Sequence, residues 1–396
     1  MTQRRHRPSA PILLPTATGE LESYRLRGGP EYPRRAAPVR SRVAYAAAHV
    51  VADPLADVTS NGRQPVDWEA TLAFRHHLWD LGLGVAEAMD TAQRGMGLDW
   101  PVAAELIRRT CAAATSHTDA MVVAGAQTDH LQPGSTERLD QVVDAYREQC
   151  AIVEDAGARV VVMASRELCR IARGADDYAT VYDAVLSQLR RPAILHWLGK
   201  VFDPALTGYW GASSYEAASK SCLEIIDANL AKVDGIKCSL LDQDKEIDLR
   251  RRLPSGVRMY TGDDFDYPTT IAGDGENYSD ALLGAFDFAA PAAAWSLEAL
   301  DGGDVAEFRR RMEPTLPLSR HVFSPPTWFY KTGVVFLAYL AGHQSHFRMI
   351  GGLESGRSVL HLVGCFRLAD QAGLLPDGDL AVARMRRLLA LAGVDA

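Results

Sequence analysis

Short, almost wholly apolar runs alternate along the chain with longer segments whose apolar positions recur at helical spacing. The apolar runs are Arg42–Val51, Gly82–Met89, Asp119–Ala124, Arg159–Ala164, Ala193–Leu198, Val233–Ser239, Val257–Thr261 and Leu282–Phe288. Between them the spacing predicts helices over Trp68–Leu81, Val102–Ala114, Ser135–Ala156, Tyr178–Leu189, Tyr215–Leu230 and Asp242–Leu253. Pro101 falls in the first turn of the second helix and Gly157 stops the third. Strands that are apolar throughout, not alternately, belong to a parallel sheet covered on both faces. Eight strand–helix units within residues 41–291 fit a closed (β/α)8 TIM barrel, an α/β fold, better than an open doubly wound sheet. No GxGxxG follows the first strand, which removes the main sign of a dinucleotide fold.

The flanks differ. Residues 1–40 mix Pro, Arg and Gly irregularly and read as an N-terminal arm, with one hairpin around Gly19 joining Ile12-Leu13-Leu14 to Tyr24-Arg25-Leu26. After Pro291 the pattern is helical, over 292–300, 305–312, 327–342, 357–372 and 380–392, and residues 292–396 read as a helical C-terminal extension. A net charge of -8 speaks against general nucleic-acid affinity, which needs clustered cations. Arg4, Arg5 and Arg7 make the N-terminus basic without the apolar core of a signal peptide. The best candidate for a membrane span, Gly333–Leu340, is about half of the ~20 residues that cross a bilayer, so no membrane span is expected. The six cysteines are scattered with no CxxC pair, which suits reduced thiols in the cytoplasm.

Candidate chemistry sits where barrel strands end, because (β/α)8 active sites lie at the C-terminal ends of the strands. That rule selects Asp53, Glu87 or Asp90, Gln127 to His130, Arg166, His196, Lys237 and Asp263 or Asp264. Lys237 stands out, since lysine is the most reluctant residue to enter a protein interior. One explanation is an ion-paired side chain, with Asp263 or Asp264 as the partner. The other is a dry amine whose lowered pKa makes it a nucleophile towards carbonyls. Gly262-Asp263-Asp264 also begins a helix well, since a carboxylate can cap free amides. His196 titrates near neutrality and suits acid–base work, although histidines on apolar strands often serve only as hydrogen-bonded core. Arg166 suits a substrate carboxylate. No HxH, HxxxH or ExxH spacing supports a metal site.

The stretches Val233-Asp234-Gly235-Ile236-Lys237 and Thr261-Gly262-Asp263-Asp264, with 26 positions from 237 to 263, resemble those of the dihydrodipicolinate synthase / N-acetylneuraminate lyase family of class I aldolases. There the sixth strand reads (V/I)-x-G-(I/V)-K and the seventh ends in (S/T)-G-D-D; Tyr330-Lys331-Thr332-Gly333 in the tail is also similar. The resemblance implies a Schiff-base-forming lyase or aldolase on a 2-keto acid or keto sugar derivative, in carbohydrate or keto acid metabolism. It implies Lys237 as the covalent amine, no separate cofactor, and a homo-oligomer, dimer or tetramer. The expected site is Lys237 and His196 as catalytic groups, with Gly262, Asp263, Asp264, Asp90, Thr91, Gln127, His130 and Arg166 binding substrate. The surroundings depart from the family. Its G-T-T-G-E is replaced by Ala88-Met89-Asp90-Thr91-Ala92-Gln93-Arg94-Gly95, which keeps only Thr91. Its fourth-strand tyrosine is replaced by Ala164-Ser165-Arg166-Glu167, and its Y-N-x-P by Leu195-His196-Trp197-Leu198. Tyr209 is a candidate to replace the tyrosine from the loop after the fifth strand. Two other readings suit the same barrel: a metal-dependent sugar isomerase or epimerase, and a non-catalytic ligand-binding barrel.

Overall fold

The computed structural model of the chain describes residues 10–28, 32–33, 39–57 and 65–394. Arg4, Arg5 and Arg7 of the N-terminal arm lie outside the described residues. The hairpin around Gly19 forms, β1 (Ile12–Pro15) pairing antiparallel with β2 (Leu21–Tyr24), so its second strand ends at Tyr24 and does not span Tyr24–Leu26. Eight further strands follow among the described residues: β3 (Ala44–Ala47), β4 (Gly84–Glu87), β5 (Val122–Ala126), β6 (Arg159–Val162), β7 (Ala193–Leu198), β8 (Val233–Ser239), β9 (Arg258–Thr261) and β10 (Asp280–Leu283). All pair in parallel with their sequence neighbours, and β10 closes onto β3, so the sheet is a barrel with no free edge. The helices around it are α1 (Trp68–Asp80), α2 (Trp100–Ala114), α3 (Leu139–Ala156), α4 (Arg166–Ile171), α5 (Ala175–Leu186), α6 (Tyr215–Ala228), α7 (Gln243–Arg252), α8 (Tyr267–Ala272) and α9 (Ala285–Phe288).

Local chemistry sets these starts. Asp67, Asp99, Ser165, Ser214 and Asp242 each accept a first-turn amide, satisfying donors that a helix leaves free. Along each strand, successive side chains face the barrel interior and the helix layer in turn. Tyr45, Ala47, Ala86, Met89, Val161, Met163, Ile194 and Tyr260 fill the interior. At its lower end the Tyr260 hydroxyl donates to Asp234 (2.6 Å), which also pairs with Arg159 (2.6 Å).

Four strands, β3, β4, β6 and β10, end earlier than their apolar runs, β3 and β10 by the most. After Ala47, side chains take over the main chain: the His49 amide donates to Asp287 (2.8 Å) and the Val51 amide to Thr71 (3.0 Å). The run expected as a strand over 282–288 splits at Gly284, and Ala285–Phe288 becomes α9, whose Asp287 also accepts from the His49 ring (2.8 Å).

The extension comprises α10 (Ala290–Asp301), α11 (Val305–Met312), α12 (Leu316–Val322), α13 (Tyr330–Ala341), α14 (Val359–Gln371) and α15 (Gly378–Leu391). Tyr330 through Leu340 are all buried, so α13 is the extension's central helix. It packs on α9 and on the 3-10 turn Asp90–Ala92 that follows β4, which sets it against the C-terminal mouth of the barrel. The N-terminal hairpin docks on α14: the Tyr24 hydroxyl and the Arg27 amide both donate to Asp370 (2.7 and 2.9 Å). No helix among the described residues is long and apolar enough to cross a membrane.

Candidate active site

Lys237 stands opposite His196 of β7 and Tyr260 of β9 in the strand register. It is 7% exposed, and among the described residues its Nζ has no hydrogen-bond or salt-bridge partner. Burial lowers its pKa from the ordinary lysine value, and the charges of Asp264 and Asp90 draw it partly back. Gly262 makes room for it. A Cβ there would stand 2.2 Å from Ser239 Oγ and 2.9 Å from Lys237 Cε. The amine faces a cavity of about 10 Å³, room for roughly one water. Its polar wall is Asp90, Thr91, Lys237, Ser239, Asp264 and Tyr330, and its apolar wall is Met89, Leu198, Phe202 and Gly284.

Asp264 and Asp263 are adjacent in sequence but differ in surroundings. Asp264 lines the cavity and accepts the Ala285 amide (2.8 Å). Burial pushes its carboxyl up to about 7, against the pull of that amide and of the Lys237 charge. Asp263 accepts the Phe265 amide (2.9 Å) and leaves Oδ2 buried without a partner. It does not line the cavity; burial, with the charges of Asp266 and Asp242, raises it to about 6. His196 is fully buried, its Nε2 3.1 Å from Ser239 Oγ and its Nδ1 unpartnered. Burial and then the Lys237 charge hold the imidazole well below its usual range, so it is neutral at pH 7.

The opposite wall comes from far along the chain. The Tyr330 hydroxyl, at the start of α13, lies 2.8 Å from Thr91 Oγ1. Its ring stacks on Phe323 (4.4 Å, 18°) and meets Phe202 edge-on (6.0 Å). Burial and the Asp90 charge drive its phenol pKa well above the usual value, while Thr91 opposes the rise. The phenol is therefore neutral at pH 7. Backbone strain gathers here too: Ala88, just beyond β4, and Leu241, just beyond β8, have φ of 50° and 52°. Left-handed conformations in non-glycine residues cost about 1–3 kcal/mol each and cluster at functional sites.

A second cavity, about 250 Å³, shares Asp90 and Leu198 with the first. Its charges are largely paired internally. Arg94 holds Asp129 (2.8 and 2.5 Å), and Arg166 holds Asp203 (2.5 Å). Gln127 and Thr128 add polar lining. Behind this region Lys331 is lowered to about 8 by burial, and its Nζ donates to the Trp328 carbonyl (3.1 Å).

Residues 12–394 match the family described as "Protein of unknown function (DUF993)". The chain belongs to this family. No curated protein matches it. Among solved structures, this DUF993 chain is similar to dihydrodipicolinate synthase from Cyanidioschyzon merolae, a structure with lysine bound: 16% identity, TM-score 0.62, covering 85% of this chain and 99% of that one. The Thermotoga maritima dihydrodipicolinate synthase gives 16% identity and TM-score 0.61 over 85% and 100% of the two chains. The Bacillus anthracis enzyme gives 13% and 0.60 over 82% and 96%. At such identities the likeness establishes the fold.

Of the residues singled out in the DUF993 sequence, Lys237, Asp264, Asp90 and Thr91 meet around the small cavity, and Gly262 clears its wall. Asp90, Gln127 and Arg166 line the larger one. His196 adjoins Lys237 from inside the barrel. Asp263 lies on neither cavity, nor does His130, whose Nδ1 meets Gln149 (2.8 Å) and whose ring lies beside Trp100. Glu87 faces the helix layer and pairs with Arg75 (2.9 Å). Tyr209 belongs to a buried tyrosine group, its hydroxyl 2.9 Å from that of Tyr182 and accepting the Ser165 amide (3.1 Å). Tyr330 and Ser239 are the polar wall residues the sequence reading missed as site groups; for Tyr330 the Tyr-Lys-Thr-Gly segment of the tail was the one signal.

Proposed function

We propose that this protein is a lysine Schiff-base lyase or aldolase acting on a 2-keto acid or keto sugar derivative. The observation that carries this reading is Lys237: a nearly enclosed amine with no ion pair among the described residues, its pKa lowered, at the mouth of a parallel barrel. Such an amine attacks a ketone carbon, loses water and leaves an iminium, an electron sink for making or breaking a bond one carbon away. Asp264 is suited to take the proton that Lys237 sheds, because burial brings the two closer in acidity, the carboxyl raised and the amine lowered. His196, held neutral, adds no competing positive charge beside the amine. A carbonyl carbon joined to the amine would take the one-water space of the narrow cavity, and the remainder would extend past Asp90 and Leu198 towards the wider one. There the cations already hold acidic partners, while Gln127 and Asp90 remain to bind hydroxyls, which favours a hydroxylated chain.

Borohydride reduction in the presence of pyruvate or dihydroxyacetone, followed by peptide mass spectrometry, tests the reading. A reduced adduct on Lys237 is expected, absent in Lys237→Arg. Its rate of formation should rise with pH and level off at a lower pH than for an exposed lysine, since burial lowers this amine. An adduct elsewhere, or none with either compound, overturns the assignment.

A further inference from the structure

We infer that Tyr330, carried into the barrel mouth by the C-terminal extension and paired with Thr91, is the catalytic acid–base group that passes protons to and from the substrate. The inference rests on the Schiff-base reading of Lys237 and assigns the step that follows amine attack. Six polar side chains face the small cavity, and four of them are suited to other work. Lys237 is the nucleophile. Asp264 is tied to the Ala285 amide and acts on the amine. Ser239 lies against the His196 ring (3.1 Å). Asp90 is shared with the wider cavity. Thr91 and Tyr330 remain, their hydroxyls 2.8 Å apart. Tyr330 is 4% exposed and its ring is fixed by Phe323 and Phe202, so the hydroxyl is held in place. At Gly284 a Cβ would stand 3.4 Å from both Thr91 Oγ1 and Tyr330 Cε2, so the absence of a side chain there leaves space beside the pair.

The chemistry balances without an added reagent. When the carbinolamine on Lys237 collapses, its C–O bond breaks with both electrons. The Tyr330 proton joins that oxygen, water leaves, and the nitrogen lone pair forms the C=N bond of the iminium. Tyr330 is left as phenolate, next to the iminium's positive charge. It then removes a proton from the carbon beside the iminium, or from a hydroxyl one carbon further out, where the O–H pair forms a carbonyl as the C–C bond breaks and that carbonyl fragment leaves. The freed electron pair flows to nitrogen, giving the enamine, and the phenol is restored. Reversal delivers the same proton back to carbon.

This step has its own readout, exchange of the methyl protons of pyruvate or the methylene protons of dihydroxyacetone in D2O, followed by proton NMR. Tyr330→Phe keeps the stacked ring and removes only the hydroxyl. It should still give the borohydride adduct on Lys237 after prolonged incubation, with exchange slowed about 10²–10⁴-fold, the usual range for a lost acid–base group. Thr91→Val keeps the phenol but removes the bond that favours its ionised form, so the alkaline limb of the exchange profile should move to higher pH. A residue that only packs would not move that limb. Exchange within about threefold of the native rate in Tyr330→Phe, with the adduct intact, overturns the relay and leaves the Lys237 reading standing. No adduct in the native protein overturns the Lys237 reading and the relay with it.

Discussion

Gly262 decides how Lys237 can be held. Its hydrogen stands where any other residue would put a carbon, 2.8 Å from the Cys238 carbonyl as well as against Ser239 and the lysine stem. The carbonyl belongs to β8 and cannot give way cheaply. Gly262→Ala should therefore displace Lys237, abolish the borohydride adduct and cost about 1–3 kcal/mol, as overpacked interiors do. Trapping and urea denaturation on the same sample check both effects. Lys237 and Asp264 were legible because each sits in a local pattern, an apolar strand ending in lysine and a strand running into Gly-Asp-Asp. Tyr330 was not, since its bond to Thr91 spans 239 positions and only folding brings the two together. Asp263 and Asp264 were inseparable in the sequence because neighbours on a chain share every local signal. What distinguishes them is which wall each faces.

The barrel elements were legible because their periodicity is strong, and the errors fell at ends where tertiary bonds compete with the ladder. β3 stops when Asp287 and Thr71 capture the amides of His49 and Val51, both partners distant in sequence. At β10, Gly284 frees the chain to turn into α9 and leaves space for the extension's aromatics. A Cβ on Gly284 would stand 2.9 Å from Phe323 Cζ. Gly284→Ala should push the stacked Phe323–Tyr330 pair from the mouth while leaving β8 intact. The expected outcome is an adduct yield close to native with deuterium exchange slowed about tenfold or more. Loss of the adduct instead would mean that the strain reaches Lys237.

Across the whole molecule, buried acids set a pH dependence of stability. Glu246 on α7 accepts from Thr261 Oγ1 (2.8 Å) and Ser279 Oγ (2.7 Å), and burial pushes it up to about 8. In the unfolded chain it ionises near ~4.3. Between those values the folded protein holds a proton that the unfolded chain has released, so this group's contribution to stability declines as pH rises, by ~1.4 kcal/mol per pH unit. Two half-buried histidines held neutral act in the opposite sense. His343 and His361 are lowered to about 3, so stability is lost as pH falls below the unfolded histidine value of ~6.5. Comparing Glu246→Gln with the native protein isolates the acid. The variant's urea midpoint should gain on the native one steadily from pH 5 to pH 8, and a constant difference would exclude Glu246 as the source.

The docking of the N-terminal hairpin on α14 joins the first described residues to nearly the last, and α14 in turn packs against α13. The mouth of the barrel is thus braced through the N-terminal hairpin as well as the C-terminal extension. The eight strands that carry Lys237 lie between these two segments in sequence, and the wall that Tyr330 provides comes from the second of them. Enclosure of the amine is therefore a long-range event, built from parts of the chain that no single stretch around Lys237 contains.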